Sequence, residues 1–321
     1  MSDNRTIRRV AIVGTGVIGA SWAALFLAKG LDVTATDIAP DAESKLRHFI
    51  DEAWPALKKL GVAKNATKSN LSFAPKAKLT FSSDLAAAVK GADLVQENGP
   101  ERIDFKQALY GQLDALLPPD AIIASSSSGL TMSEIQKGCP AHPERCVIAH
   151  PFNPPHLIPL VEIVGGAKTS EDTIARAAAF YDGLGKRTVR LRKEVPGHVA
   201  NRLQAALSRE VYHLVAEGVV SVADVDTALC WGPGLRWGIM GQLMLNHLGG
   251  GQGGIDHFFH QFTGPLTAWW KTLGTPELTP DLQQKLINGV HEEVGSRSIA
   301  ELEAERDAVL IGLLRLRAEQ N

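Results

Sequence analysis

The stretch Arg9-Val10-Ala11-Ile12-Val13-Gly14-Thr15-Gly16-Val17-Ile18-Gly19 decides the fold. Arg9 to Val13 reads as a buried strand, three glycines at Gly-x-Gly-x-x-Gly spacing turn the chain, and Ala20 to Lys29 has helical texture. Leu31 to Thr36 reads as a second strand and ends in Asp37, 18 residues after Gly19. The unit is βαβ, with the glycine turn opening its helix, the context in which this motif binds a dinucleotide. Gly14 allows the tight turn, Gly16 lets the backbone approach a pyrophosphate, and Gly19 lets helix and strand pack closely. Thr15, Val17 and Ile18 complete the turn, and the free amides at the helix N-terminus point at the phosphates. Asp37 is placed to accept from the adenosine ribose hydroxyls and to repel a 2′-phosphate, so NAD is expected rather than NADP. The motif alone also admits FAD, but nothing later in the chain resembles a second flavin-binding element.

Further β-rich runs at Leu79–Phe81, Ala92–Gln96, Ala121–Ala124 and Cys146–Ala149 alternate with Ala/Leu-rich helical segments, which predicts a parallel sheet covered by helices. Leu160–Val164 and Thr188–Leu191 are its last predicted strands. Beyond Lys193 the β-branched runs disappear and nearly every segment has helical spacing, as in Asn201 to Glu217 with apolar residues at 203, 206, 207, 211, 214 and 215. The expected fold class is α/β: an N-terminal Rossmann-type doubly wound sheet over residues 1–193, then an all-helical C-terminal domain over 194–321. Pro196-Gly197 marks the boundary. Gly249-Gly250-Gly251-Gln252-Gly253-Gly254 reads as a flexible connector, or as a mobile loop, within the helical half.

Composition narrows the function classes. The 321 residues carry 33 Lys+Arg against 35 Asp+Glu, a net charge of −2, with the basic residues scattered, so nucleic acid is not an expected partner. The apolar run after Arg8-Arg9 stops at Gly14, too short for a signal segment, and no stretch reaches the roughly 18 apolar residues a membrane span needs. The 3 cysteines, Cys139, Cys146 and Cys230, have no Cys-x-x-Cys spacing and suit neither a disulfide framework nor a thiolate zinc site; a reducing cytoplasm fits them.

Hydride transfer from an alcohol needs a base near the carbinol proton, a group that fixes the base's tautomer, and donors around the developing oxygen charge. Ser125-Ser126-Ser127-Ser128-Gly129 follows a predicted strand, where ligands of open α/β sheets bind, although serine runs also serve as plain polar loops. His150 ends another strand and is followed by the rigid Pro151-Phe152-Asn153-Pro154-Pro155. Glu162, 12 residues later among Val161, Ile163 and Val164, is a carboxylate that burial would penalise unless paired. Paired with His150 it would hold the imidazole's tautomer and raise its basicity. His142, His150 and His156 sit beside prolines without helical spacing, and no metal site is expected from them.

These segments, with Glu97–Lys106 (ENGPERIDFK) and Val195–Leu203 (VPGHVANRL), resemble in order and spacing the 3-hydroxyacyl-CoA dehydrogenase family over nearly the whole chain. The resemblance implies His150 as catalytic base, Glu162 as its partner, Ser128 as the hydroxyl on the substrate oxygen, and Asn201 as the amide completing the site. Within the ENGPERIDFK segment, Glu97, Glu101 and Lys106 fall on the cofactor side, the last two lining its nicotinamide and ribose. It also implies a homodimer. Pro151 stands where the family usually has Phe, and Ser126 and Gly129 replace its usual Asn and Ser.

Within the family, Gly232 to Gly241 (GPGLRWGIMG) resembles the branch that oxidises the 3-hydroxyl of L-carnitine with NAD, and a related segment occurs in the branch acting on L-gulonate. A quaternary ammonium is held by aromatic faces, at about 0.5–2 kcal/mol per contact. Trp231, Trp237, Phe258, Phe259, Phe262, Trp269 and Trp270 are the aromatics on offer, Trp231 and Trp237 beside Arg236, the candidate for the substrate carboxylate. Lys45, Arg47, Lys58, Lys59, Lys64 and Lys68 would serve a CoA phosphate or a solvated helix face. A crystallin-like NAD-binding protein without turnover is the reading of another class.

Overall fold

The computed structural model describes residues 6–63 and 78–319, so Lys64 and Lys68 lie outside the described residues. The chain divides into two compact units, Met1–Asn201 with Asp307–Arg315, and Arg202–Arg306 with Leu316–Asn321.

In the first unit the strands are β1 (Arg9–Val13), β2 (Asp32–Thr36), β3 (Leu79–Phe81), β4 (Leu94–Glu97), β5 (Ile122–Ser125), β6 (Cys146–Pro151), β7 (Leu160–Gly165) and β8 (Arg187–Arg190). The helices between them are α1 (Val17–Ala28), α2 (Ala42–Lys59), α3 (Leu85–Val89), α4 (Ile103–Leu116), α5 (Met132–Ile135) and α6 (Glu171–Gly183). They form one sheet of order β3-β2-β1-β4-β5-β6-β7-β8. Successive side chains of a strand point to opposite faces, and β1 shows the result. Val10 and Ile12 join Trp22, Phe26, Leu46, Ile50 and Tyr181 on one face, while Ala11 and Val13 join Val95, Tyr110, Leu113 and Ile148 on the other. On α2, Leu46, Ile50, Ala53 and Leu57 face that core, leaving Lys45, Lys58 and Lys59 exposed and Arg47 paired with Glu43 at 2.7 Å.

The sheet departs from the expected all-parallel pattern at one pair, since β6 and β7 run antiparallel. Their connection is too short for the helical crossover that parallel strands require, so the chain turns straight back. The buried Lys186 holds that turn from below: its ammonium donates to the carbonyls of Pro155 and Ile158 and lies 5.1 Å over the Trp22 ring.

The second unit consists of most of α7 (Ala200–Ala216), then α8 (Val222–Trp231), α9 (Pro233–Trp237), α10 (Gln242–Gly249), α11 (Gly254–Trp270), α12 (Pro280–Val294) and the ends of α13 (Ile299–Glu319). Its own buried cluster is small, centred on Val215, Val222 and Val225. The glycine run is not a free connector but the end of α10, a tight turn, and the start of α11. A Cβ on Gly250 would lie 1.7 Å from the Gly254 carbonyl oxygen, so the close approach of the two helix ends demands the glycine.

Burial, with Lys29 nearby, lowers the Lys186 pKa from 10.5 to about 7. Between those values the unfolded chain binds more proton than the native one, so this residue makes the protein more stable as pH rises through that window, and adds no pH dependence well below it. In urea unfolding, the stability of wild type relative to Lys186→Met should therefore increase from pH 7 to pH 10. A difference that stays constant over that range contradicts the assignment.

Candidate active site

The glycine turn leaves β1 with Gly14 at φ +86°, and its amide donates to the Thr36 carbonyl at 2.9 Å. A Cβ on Gly19 would sit 1.9 Å from the Gly14 carbonyl oxygen, so helix and turn touch there only because the residue is glycine. Val17 is exposed, and Ile18 packs against the core. Among the described residues no side chain caps α1 at Gly16, which leaves its first amides for an anion. Asp37 closes the turn: one carboxylate oxygen accepts from the Thr15 amide at 2.6 Å and hydroxyl at 3.0 Å, the other from the Ala39 amide at 2.9 Å. Partial burial pushes this carboxyl up, but the Thr15 and Ala39 donors outweigh it and hold it below the usual carboxylate value. Gly14, Gly16, Asp37, Ile38, Asn98 and Pro100 line a cavity of about 510 Å³. Nothing among the described residues lies within 4 Å of where a Cβ on Gly16 would be, so this is open space that a side chain would fill and a dinucleotide fits.

Glu97, Lys106 and Glu101 come together at the ends of β4 and α4. Glu97 and Lys106 are 0% and 1% exposed, with the ammonium 2.8 and 2.9 Å from the two carboxylate oxygens. Glu97 also accepts from the Ser125 hydroxyl at 2.6 Å and the Gly99 amide at 2.5 Å. Glu101 turns the other way. A single oxygen of it accepts from the Ser127 hydroxyl at 2.7 Å and the amides of Gly129 (2.7 Å), Ser128 (3.1 Å) and Leu130 (3.1 Å). Burial raises its pKa, but these donors and the Lys106 ammonium win, so it stays ionised below the usual range. The serine run is thus wrapped around a fixed anion, with Ser128 exposed at its tip.

His150 and Glu162 are Cα partners across the antiparallel β6–β7 pair. His150 Nδ1 lies 2.9 Å from Glu162 Oε2, and both side chains are nearly buried. A carboxylate only accepts, so Nδ1 carries the proton and Nε2 the lone pair of the neutral ring. Nε2 has no protein partner among the described residues. The other oxygen of Glu162 accepts from the amides of Val199 (2.8 Å) and Ala200 (3.0 Å), which open α7. Burial pushes Glu162 up, but the His150 hydrogen bond and these amides hold it below the ordinary carboxylate value. Asn201 Nδ2 donates to the Ser128 carbonyl at 3.2 Å, which ties the head of α7 to the serine turn.

Ser128, His150, Glu162 and Asn201 all belong to the first unit. Arg236, Trp237 and Trp231 lie in the second, on α8 and α9, where Trp231 is 77% exposed and Trp237 Nε1 donates to Gln242 at 2.5 Å. Residue reading missed Asn98, which accepts from the Ser126 hydroxyl at 2.7 Å, and His198, whose ring centroid lies 5.2 Å from that of His150. The second was visible only as one of 10 histidines. Among the described residues no cluster could hold a metal ion.

Residues 9–195 match the family model of the 3-hydroxyacyl-CoA dehydrogenase NAD binding domain, and residues 197–293 match that of its C-terminal domain. L-carnitine dehydrogenase of Streptomyces coelicolor is 46% identical over 98% of this chain and 96% of its own length. L-carnitine dehydrogenase of Streptomyces griseus is 48% identical over 96% and 90%. Among solved structures, the NAD+ dependent dismutase 5-formyl-3-hydroxy-2-methylpyridine 4-carboxylic acid 5-dehydrogenase is similar at a TM-score of 0.81 and 32% identity, covering 97% of this chain and 98% of that one.

Replacing Asp37 by Asn removes a charged acceptor worth about 1.5–3 kcal/mol, so the NADH dissociation constant by fluorescence titration should rise roughly ten- to a hundredfold. An unchanged constant would remove Asp37 from the cofactor site.

Proposed function

The chain belongs to the 3-hydroxyacyl-CoA dehydrogenase family, and from that premise we propose that it oxidises the 3-hydroxyl of L-carnitine to 3-dehydrocarnitine. The observation that carries the chemistry is the His150–Glu162 pair, a nearly buried imidazole held at Nδ1 with Nε2 unengaged. Gly14, Gly16 and Asp37 would hold NAD, which would supply the acceptor for the C3 hydride. His150 Nε2 takes the hydroxyl proton as that hydride leaves, and returns it in the reverse direction. Glu162, already ionised and held by two amides, stabilises the imidazolium that forms. Ser128 and Asn201 hold the oxygen, the Ser128 turn positioned by Glu101 from beneath and Asn201 by its hydrogen bond to the Ser128 carbonyl. Glu97 and Lys106 act as the buried support of the Gly99–Glu101 segment on the cofactor's nicotinamide side.

The substrate reading is supported by the two L-carnitine dehydrogenases above and by the chemistry of the α8–α9 segment. Trp231 and Trp237 offer aromatic faces to a trimethylammonium group, and the exposed Arg236 offers a fork for the carboxylate. A homodimer is part of the same reading. Trp231, Leu243, Trp269 and Trp270 are each at least 60% exposed in a helical unit with only a small core, surface that a second copy would cover. No helix among the described residues is long and apolar enough to cross a membrane. A cytoplasmic location is part of the same reading.

The test is NADH formation with L-carnitine, D-carnitine, L-gulonate and L-3-hydroxybutyryl-CoA. Turnover confined to L-carnitine is expected; turnover only with gulonate or the CoA ester would overturn the substrate, and none with any of them would favour a non-enzymatic NAD-binding protein. Glu162→Gln should lower kcat by about 10²–10⁴-fold with NADH affinity nearly unchanged. Arg236→Ala should raise KM for carnitine and leave kcat largely intact. Light scattering should give twice the 34.4 kDa chain mass.

A further inference from the structure

We infer that His198 is a positioning residue of this site, an uncharged imidazole that locks the serine turn to the His150–Glu162 pair. The inference rests on the reading of His150 as the base. His198 is 1% exposed, and its Nε2 lies 3.0 Å from the Ser127 carbonyl oxygen. A carbonyl only accepts, so Nε2 is the donor, and the neutral ring leaves Nδ1 as a bare acceptor. Nδ1 is buried with no protein partner among the described residues, so a second proton there would be an unpaired charge beside His150.

The titratable groups acting on this ring are His150, Glu162 and Glu101. Neither carboxylate is hydrogen-bonded to it: Glu162 is held by His150 and the two amides that open α7, and Glu101 by the serine turn. Burial is the main influence and lowers the His198 pKa, which keeps the ring neutral where the base works.

The backbone makes the link stiff. Gly197 and His198 have φ of +76° and +51°, two successive left-handed residues of which the second is not glycine. The next two amides, Val199 and Ala200, then reach Glu162, while the His198 side chain reaches back to Ser127, the residue before Ser128. One residue therefore sets the base's partner and the oxygen-holding turn in a fixed relation, and its ring, tilted 49° against that of His150, walls the base on one side.

The experiment compares His198→Phe, which keeps a ring without a donor, with His198→Gln, whose amide can still donate to Ser127. In L-carnitine oxidation His198→Phe should lose roughly ten- to a hundredfold in kcat, with the NADH dissociation constant within about twofold of wild type, and His198→Gln should recover most of the loss. Full kcat in His198→Phe, or equal impairment of both variants, overturns the inference. If His198→Phe does not fold by circular dichroism, His198→Asn replaces it, since Asn accepts left-handed backbone but falls short of Ser127; it should behave as predicted for Phe, and wild-type kcat in it counts against the inference equally. Glu162→Gln separates the two levels. If it is inactive while the His198 variants are unimpaired, only this inference fails; if it too is fully active, the underlying reading of the base fails.

Discussion

The carboxylate of Glu162 is the constraint on which the site depends. It lies on a strand among Val161, Ile163 and Val164, where a lone charge would cost several kcal/mol, and it is tolerated because every approach to it carries a donor. His150 Nδ1 meets one oxygen, and the two amides opening α7 meet the other. The same three hydrogen bonds fix the imidazole's tautomer and anchor the first turn of the helix after the sheet, and in the proposed reaction they would keep the charge in place for an imidazolium. Removing the carboxylate would therefore disturb chemistry and architecture together, whereas Glu162→Gln keeps the shape and takes away the charge.

A second anion, the partly exposed Glu101, organises the serine turn. Glu101 gathers four donors of the serine turn on one oxygen, and Lys106 and Glu97 brace it from behind. Ser128 is thus presented by backbone held around a charge, a preorganised arrangement of the kind that lowers the reorganisation cost of stabilising an alkoxide. Ser128 and His150 come from different strand ends, and the segment Gly197–Asn201 ties them through His198 and Asn201.

Much of this was legible in the residues. Gly14, Gly16, Gly19 and Asp37 could be read together because most of what they answer to is local: Gly14 takes a left-handed φ, Gly19 meets the Gly14 carbonyl, Asp37 accepts from Thr15, and Gly16 opens on free space. His150 and Glu162 could be paired because a carboxylate amid β-branched residues needs a partner. Their direct opposition was not legible, since it depends on the antiparallel return of β7, which reverses the pattern of the strands before it. His198 was hidden for a related reason: its partner Ser127 is 71 residues away, and no spacing rule connects them. Glu97 and Lys106 show the converse, charged residues that a family motif places near the cofactor and that the fold turns onto each other.

The most direct test of the central claim is the ¹⁵N NMR spectrum of the neutral His150 imidazole in the resting protein. The expected form is the Nδ1–H tautomer, with an unprotonated Nε2 ready to accept the carbinol proton. An Nε2–H tautomer would mean that Glu162 does not hold the ring through Nδ1, and would overturn its role.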